Sequence, residues 1–568
     1  RVTPNGGCLP TRLGGLDAAG LSFTNGDLSL CALDGALIAA NESGALSGGF
    51  TIRSLALNGR MAGEAAQPAR VSAGNVVGRF SGRTGDMTLA LTANTPRLTI
   101  EMAEDRTLAL VMASLTANAH ISDSWRVEGQ FAEGALTDPA LPGTLSTIAG
   151  GWSAAPEDGK PVIRVAAGEA LLTANRPATE EDRPLFNPLR IAEMSAVLAD
   201  GEVNAQGAIV LDASRQQLAS FTAHHDIDEG AGVARINAER ITFGPSLQPY
   251  DITEQARGMV EGVTGDAIVA AEINWTDAAI TGTGRARLDN VSLATATIPV
   301  VNNVSGEIVF DDLFTLTTPP GQFLRVGLLN PGVAVRNGRV RFQLLPEQQV
   351  AIEQADFDFA AGTLALTPTR ITLGSEETRF ELTLRDVDAT QLVSALNVPD
   401  LQATGRIEGS FPLRLTRVSA FVEGGVLRAA PGGGTISYTG NAGDAATGPS
   451  KLAFDALRSF RYDDLGLTLD GDLNGDVISS INFSGRNSGE AVDLGEVAPI
   501  PGLGRVTVRG VPFDFNVRVT APFRRLAQTA ATITNPGSLI NQAQPLEEGQ
   551  DQEPAPTQEV DPGSPGTD

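Results

Sequence analysis

Apolar and polar residues alternate strictly along Phe513-Asp514-Phe515-Asn516-Val517-Arg518-Val519-Thr520, and the pattern recurs over most of the chain. Phe380, Leu382 and Leu384 alternate with Glu381 and Thr383, and Leu465, Leu467 and Leu469 with Gly466 and Thr468. Successive side chains of a strand point to opposite faces, so each stretch predicts a strand with one apolar and one polar face. Between Val340 and Leu384 such runs follow one another directly: Val340-Phe342-Leu344, Val350-Ile352, Phe357-Phe359, Leu364-Leu366, Ile371-Leu373 and Phe380-Leu382-Leu384. Turn-forming residues separate them and leave no room for crossover helices, which predicts an antiparallel meander. About 30 such strands at ~4.8 Å each would make a sheet on the order of 150 Å long. Sheets of that length twist and curl, here into an open trough lined by apolar side chains.

Helical signals are few. A helix is expected near 388–397, where Asp388 can cap and Leu392 and Leu396 lie one turn apart. Others are expected near 251–260 and 522–531, the last with Phe523, Leu526 and Ala530 on one side and Arg524–Arg525 placed to meet lipid headgroups or simply to flank the helix. From Gln544 the character changes. Pro545 to Asp568 holds seven acidic residues and no basic one. Too little apolar surface is present there to order it, so 544–568 reads as a disordered tail. The expected organisation is a first part of the groove over 1–246, a second over 247–543, and the tail.

Composition narrows the function. Lys160 and Lys451 are the lysines, and the formal net charge is −26. Such a balance argues against nucleic acid and against broad adhesion to anionic membrane surfaces. No run of some 18 apolar residues could cross a bilayer as a helix. The start at Arg1, without Met or signal pattern, is read as a mature form or a fragment lacking its targeting segment. Cys8 and Cys31 would form one disulfide in an oxidising compartment, or remain two unrelated buried thiols.

Catalytic and metal signals are thin. Asp470-Gly471-Asp472-Leu473-Asn474-Gly475-Asp476 matches the first half of a calcium loop, but its twelfth position is Ile481 rather than Glu, and Asn474-Gly475 between strands signals a hairpin. Gly443 to Lys451 brushes past a phosphate-binding loop, yet Pro449 removes a needed N–H, and the segment reads as a loop. His224 and His225 are adjacent and would point to opposite faces, and His120 stands apart. Neither enzyme, metal nor cofactor is expected.

An apolar face this long must be covered by protein or by something else. A sandwich, or a structural or adhesive solenoid with a self-filled core, would supply protein; acyl chains would fill an open trough. The inward residues would be Phe342, Leu344, Leu364, Leu366, Phe380, Leu382, Leu384, Leu465, Leu467, Leu469, Phe513, Phe515, Val517 and Val519, with small residues such as Gly284 and Ala286 keeping the trough wide.

The order of several motifs resembles the YdbH branch of the AsmA-like bridge-type lipid transfer proteins, the relatives of TamB and YhdP. They are Leu316-Thr-Thr-Pro-Pro-Gly-Gln322, Leu329-Asn-Pro-Gly-Val333, Asn337-Gly-Arg-Val-Arg-Phe342, Leu401-Gln-Ala-Thr-Gly-Arg-Ile-Glu-Gly-Ser-Phe-Pro-Leu413, Glu423-Gly-Gly-Val-Leu-Arg428, Pro431-Gly-Gly-Gly-Thr-Ile-Ser-Tyr438, Phe460-Arg-Tyr-Asp-Asp464 and the stretch from Phe513 to Phe523. The resemblance runs from about Leu247 to Ile540. It implies a taco-like β groove in the periplasm of a Gram-negative envelope, conducting phospholipids between inner and outer membranes. It further implies an inner-membrane anchor through an N-terminal helix that is missing here. A small outer-membrane lipoprotein would add strands at the edge formed by Phe513, Phe515, Val517 and Val519. A scaffold for outer-membrane protein assembly would share the same signature.

Overall fold

The computed structural model describes residues 2–522, apart from single positions and short stretches, the longest being 176–182, 442–448 and 494–506. Among the described residues, 36 strand segments join one sheet, and its pairings are antiparallel. The alternating sequence becomes a meander: each strand from Trp125–Thr137 onward pairs chiefly with the strands before and after it. The sheet does not close. Among the described residues, Cys8–Leu13 and Leu16–Ala18 at one end pair on one side only, and at the other end Pro512–Pro522 pairs only with Asp476–Asn487.

Several runs that read as separate strands are halves of one crossing. Asp86–Asn94 continues into Arg97–Glu101 after a break at Thr95 (φ 46°) and Pro96. Gly362–Leu366 continues into Thr369–Thr372 after Pro368, and both halves pair with Gln349–Phe359. Proline cannot donate to the ladder, so the strand breaks there and bends. The crossings are therefore fewer than the segments, and the sheet is on the order of 120 Å long at ~4.8 Å per crossing.

Longer strands bend by bulges instead. Glu133 (φ 50°), Thr147 (φ 54°), Glu193 (φ 53°), Asn290 (φ 50°), Asn303 (φ 56°) and Asp386 (φ 53°) all sit in the left-handed region beside register shifts or gaps in the pairing. An extra residue in one strand bends it and tightens its twist. Because neighbouring bulges lie close to one another, as Gly134 opposite Ile148 and Val291 opposite Val304 show, they form a crease along the sheet. Asn and Asp tolerate this conformation through local hydrogen bonding; Glu133 and Glu193 adopt it at a cost of about 1 kcal/mol each.

Apolar burial follows the crease. Val335, Val387 and Phe460 beside it are at most 1% exposed, and Ile148, Ile191, Val291, Val304 and Phe357 are also buried. Toward the turns the same face is only half-buried, as at Leu89, Val203, Ala286, Leu382 and Leu467. A sandwich would bury that face along its whole length. Here the creased sheet shields its floor and leaves its walls open.

Connections fall into two sets. Turns such as 158–159, 200–201, 227–230 and 346–348 lie along one long side and are short, although the same side also carries the longer connection 311–321. The other side carries longer connections and the three α-helices, α1 (Pro249–Ile252), α2 (Ala389–Ala395) and α3 (Pro449–Leu457). The α2 helix starts as its sequence predicts, with Asp388 Oδ1 accepting from the Gln391 N–H at 3.0 Å. The helix expected over 251–260 is instead one turn plus a 3-10 turn at Glu254–Ala256, because Thr253 is extended (φ −144°) and interrupts it. Lys451 lies in α3 rather than in a loop, since Pro449 opens the helix at its first turn, where its missing N–H costs nothing. The helix expected over 522–531 lies outside the described residues from 523 onward, as do Arg524–Arg525 and the acidic tail.

Cys8 and Cys31 are directly opposite on paired strands and form a disulfide. Cys8–Leu13 pairs with Gly26–Ala32 alone, so the bond holds a strand supported on one side only. Replacing both by Ser should release about 3 kcal/mol of constraint on that strand. Hydrogen exchange at residues 8–13 should accelerate while exchange at 280–294 stays unchanged; equal protection in both proteins would show that the bond holds nothing.

Candidate functional site: an apolar trough

Residues directly opposite across a ladder share a face, so the register decides which side chains belong together. Phe342 faces Ile352 and Leu344 faces Val350. Ala355 and Phe357 face Leu366 and Leu364, which in turn face Leu382 and Leu384. Phe380 and Leu382 continue to Leu413 and Phe411. Further on, Leu465, Leu467 and Leu469 face Phe483, Ile481 and Ser479, which face Phe515, Val517 and Val519, while Phe513 faces Gly485. By register, the twelve residues from Phe342 to Phe515 singled out in the sequence lie on one continuous face, and Val517 and Val519 hold ladder positions opposite Ile481 and Ser479. Phe342 and Leu384 are buried; the others whose burial is described, from Leu344 to Phe515, are half-buried.

This face has a feature that alternation does not reveal. Large rings lie over glycines directly across the ladder. Trp152 pairs with Gly129, Phe221 with Gly207, Trp275 with Gly232, Phe50 with Gly78 and Phe80 with Gly48. A Cβ on Gly207 would come within 2.7 Å of the Phe221 ring, and one on Gly129 would collide with the Trp152 indole and the Thr116 carbonyl oxygen. The rings therefore lie down along the sheet instead of standing into the trough, with the Trp152 indole N–H donating to Thr116 O at 3.1 Å. The sequence signal was a glycine one strand away from each ring, invisible until the register is known.

The outer face is polar and carries ion pairs such as Arg235–Glu272 (3.0 Å) and Arg164–Glu157 (2.6 Å). The Arg164 guanidinium, by hydrogen bonding, holds the Glu157 carboxyl below its ordinary range. At the crease the Tyr462 phenol donates to Thr404 O at 2.6 Å, and burial pushes its pKa up, so it stays a protonated donor.

The adjacent histidines part as the strand period requires. His224 meets Asn204 at 3.0 Å, and His225 accepts from the Trp275 indole at 3.2 Å. His120 lies 3.7 Å from Asp86. In the calcium-like segment the carboxylates serve the neighbouring strand: Asp470 accepts from the Gly424 N–H at 2.6 Å and Asp472 from the Ser419 hydroxyl. Phe460–Asp472 and Asp476–Asn487 pair as a hairpin around it. Among the described residues no group of three or more His, Cys, Asp or Glu could hold a metal ion.

A family model described as YdbH-like, intermembrane phospholipid transport protein YdbH, matches residues 154–542, more than half of the chain. The match begins well before Leu247, where the recognisable motifs begin. No curated protein and no solved structure matches.

Proposed function

The chain belongs to the YdbH-like family, and from that premise we propose that it conducts phospholipids between the two membranes of a Gram-negative envelope along its apolar trough. The observation that carries this reading is the single register-continuous apolar face, buried at the crease and half-exposed along its walls. Leaving such walls in water costs roughly 25 cal/mol per Å², and acyl chains remove that cost without a fixed stoichiometry. Tails would slide against residues such as Leu344, Leu382 and Leu467 while headgroups stay at the opening between the two long sides. No bond to the lipid is made or broken.

The flat rings over Gly129, Gly207 and Gly232 support passage, since they keep bulky groups out of the path. At the ends the proposal follows the family resemblance. An inner-membrane helix would precede this segment, and the edge of Pro512–Pro522 that has no partner among the described residues would template strands of a small outer-membrane lipoprotein. No described helix is long and apolar enough to cross a membrane.

Native mass spectrometry with lipid extraction, on the chain purified in mild detergent, tests the reading. Several phospholipids per chain are expected. A lipid-free, monodisperse chain would sink it and favour a self-filled structural solenoid.

A further inference from the structure

We propose that the trough discriminates by headgroup charge, passing zwitterionic phospholipids in preference to anionic ones. This inference rests on the lipid-conduit reading above and deepens it.

The two long sides that bound the opening differ in charge. Along the side of short turns stand Asp158, Asp200, Asp228, Glu229, Glu347 and Asp476, all exposed. Among the described residues in and immediately beside those turns the cations are Arg83 and Lys160, and Lys160 is held by Asp200 at 2.7 Å. Arg126, Arg370 and Arg379 stand further along their strands, on the polar face that alternates with Val127, Ile371 and Phe380. Turn chemistry does not demand this charge. Asp158-Gly159 and Asp200-Gly201 adopt positive φ at both positions, which Asn-Gly would serve as well.

Successive turns on one side are two strands apart, about 10 Å. That is close to the screening length of ~8 Å at physiological ionic strength, so the fields of neighbouring turns overlap into a continuous negative strip. It is no binding site: nothing converges on a point, and the effect is repulsion along a path.

The opposite side offers anionic headgroups little compensation. Several of its described cations are engaged with neighbouring carboxylates: Arg106 with Asp138, Arg257 with Glu254 at 2.6 Å, Arg406 with Asp386 at 3.5 Å and Lys451 with Asp455 at 3.2 Å. The exposed Arg336, Arg428, Arg461 and Arg486 alternate with the inward positions Val335, Leu427, Phe460 and Gly485, and so belong to the outer face. Arg183 donates to the Glu254 and Arg257 carbonyl oxygens. A phosphate accompanied by its own ammonium carries no net charge past the acidic strip. A phosphate alone meets repulsion at each acidic turn. For a headgroup some 7 Å from two carboxylates the Coulomb term at water-like dielectric corresponds to roughly fivefold discrimination.

The test is lipid loading from vesicles of equal parts phosphatidylethanolamine and phosphatidylglycerol, followed by repurification and mass spectrometry of bound lipid. The full chain is compared with a variant carrying Asp158→Asn, Asp200→Asn, Asp228→Asn, Glu229→Gln and Glu347→Gln, each protein at low and high salt. The expected result is about fivefold enrichment of phosphatidylethanolamine in the native chain at low salt, collapsing toward the vesicle ratio in the variant and at high salt. Equal loading of both lipids by the native chain, or an enrichment indifferent to both salt and neutralisation, overturns the inference and leaves lipid conduction standing. A chain that takes up neither lipid overturns conduction itself, and this inference with it.

Discussion

Leu382→Asp should block lipid passage while leaving the chain folded. Leu382 sits in the open wall, opposite Leu366 on one side and Phe411 on the other, and is half-buried. With the trough empty, a carboxylate there keeps much of its water, so the folding cost is modest. With acyl chains against it, the carboxylate must be stripped of water, with no cation among the described residues opposite it to receive it. That costs several kcal/mol, and each 1.4 kcal/mol is a factor of ten. A drop of roughly a hundredfold in lipid transfer between donor and acceptor vesicles is therefore expected, with an unchanged β-sheet circular dichroism spectrum. Leu344→Asp and Leu467→Asp, well separated along the sheet, should block in the same way. If all three variants transferred lipid at the native rate, the conduit would be wrong however much lipid co-purified.

The largest loss of stability is expected from Gly129→Val. Two branches on Cβ would have to displace the Trp152 indole, break its 3.1 Å hydrogen bond to Thr116 O and push the Thr116 backbone away. Overpacking of this kind, combined with a lost buried hydrogen bond, costs about 3 kcal/mol. Urea denaturation should show the loss, and tryptophan emission should shift as the Trp152 ring lifts into the trough. Gly168→Ala in Lys160–Ala174, two strands away, is the control, since a Cβ there meets nothing within 4 Å. Equal stability of Gly129→Val and the native chain would show that the flat ring is not constrained by its glycine.

The two substitutions also mark how much could be read from residues alone. The inward position of Leu382 was legible, because alternation with Glu381 and Thr383 assigns it a face without reference to any other strand. The conflict at Gly129 was not legible. It depends on Trp152 lying opposite, and that pairing requires the register of two strands across the turn 138–142 and across two register shifts. Helices divide in the same way. Asp388 capped the helix it predicted. The helix expected after Asp251 broke at Thr253, whose extended backbone is set by its surroundings. Pro449 concealed a helix that it in fact begins.

Curvature is the clearest case of what was hidden. Alternation forecast strands and their two faces, and it distinguished Val350-Ile352 from Phe357-Phe359 as separate runs. The structure joins these into the single strand Gln349–Phe359, with a register shift between them. Glu133, Glu193 and Asn303 carry no mark in the sequence that sets them apart as the places where strands bend.

What the sequence by itself determined, then, is the strand period, the antiparallel order and the existence of one long apolar face. These follow from side-chain direction and turn chemistry, which act within a few residues. The tertiary structure alone decided where the face creases, which rings lie over which glycines, and that acidic turns fall together on one long side. Each is a relation between strands, set by register, and register belongs to no single stretch of chain.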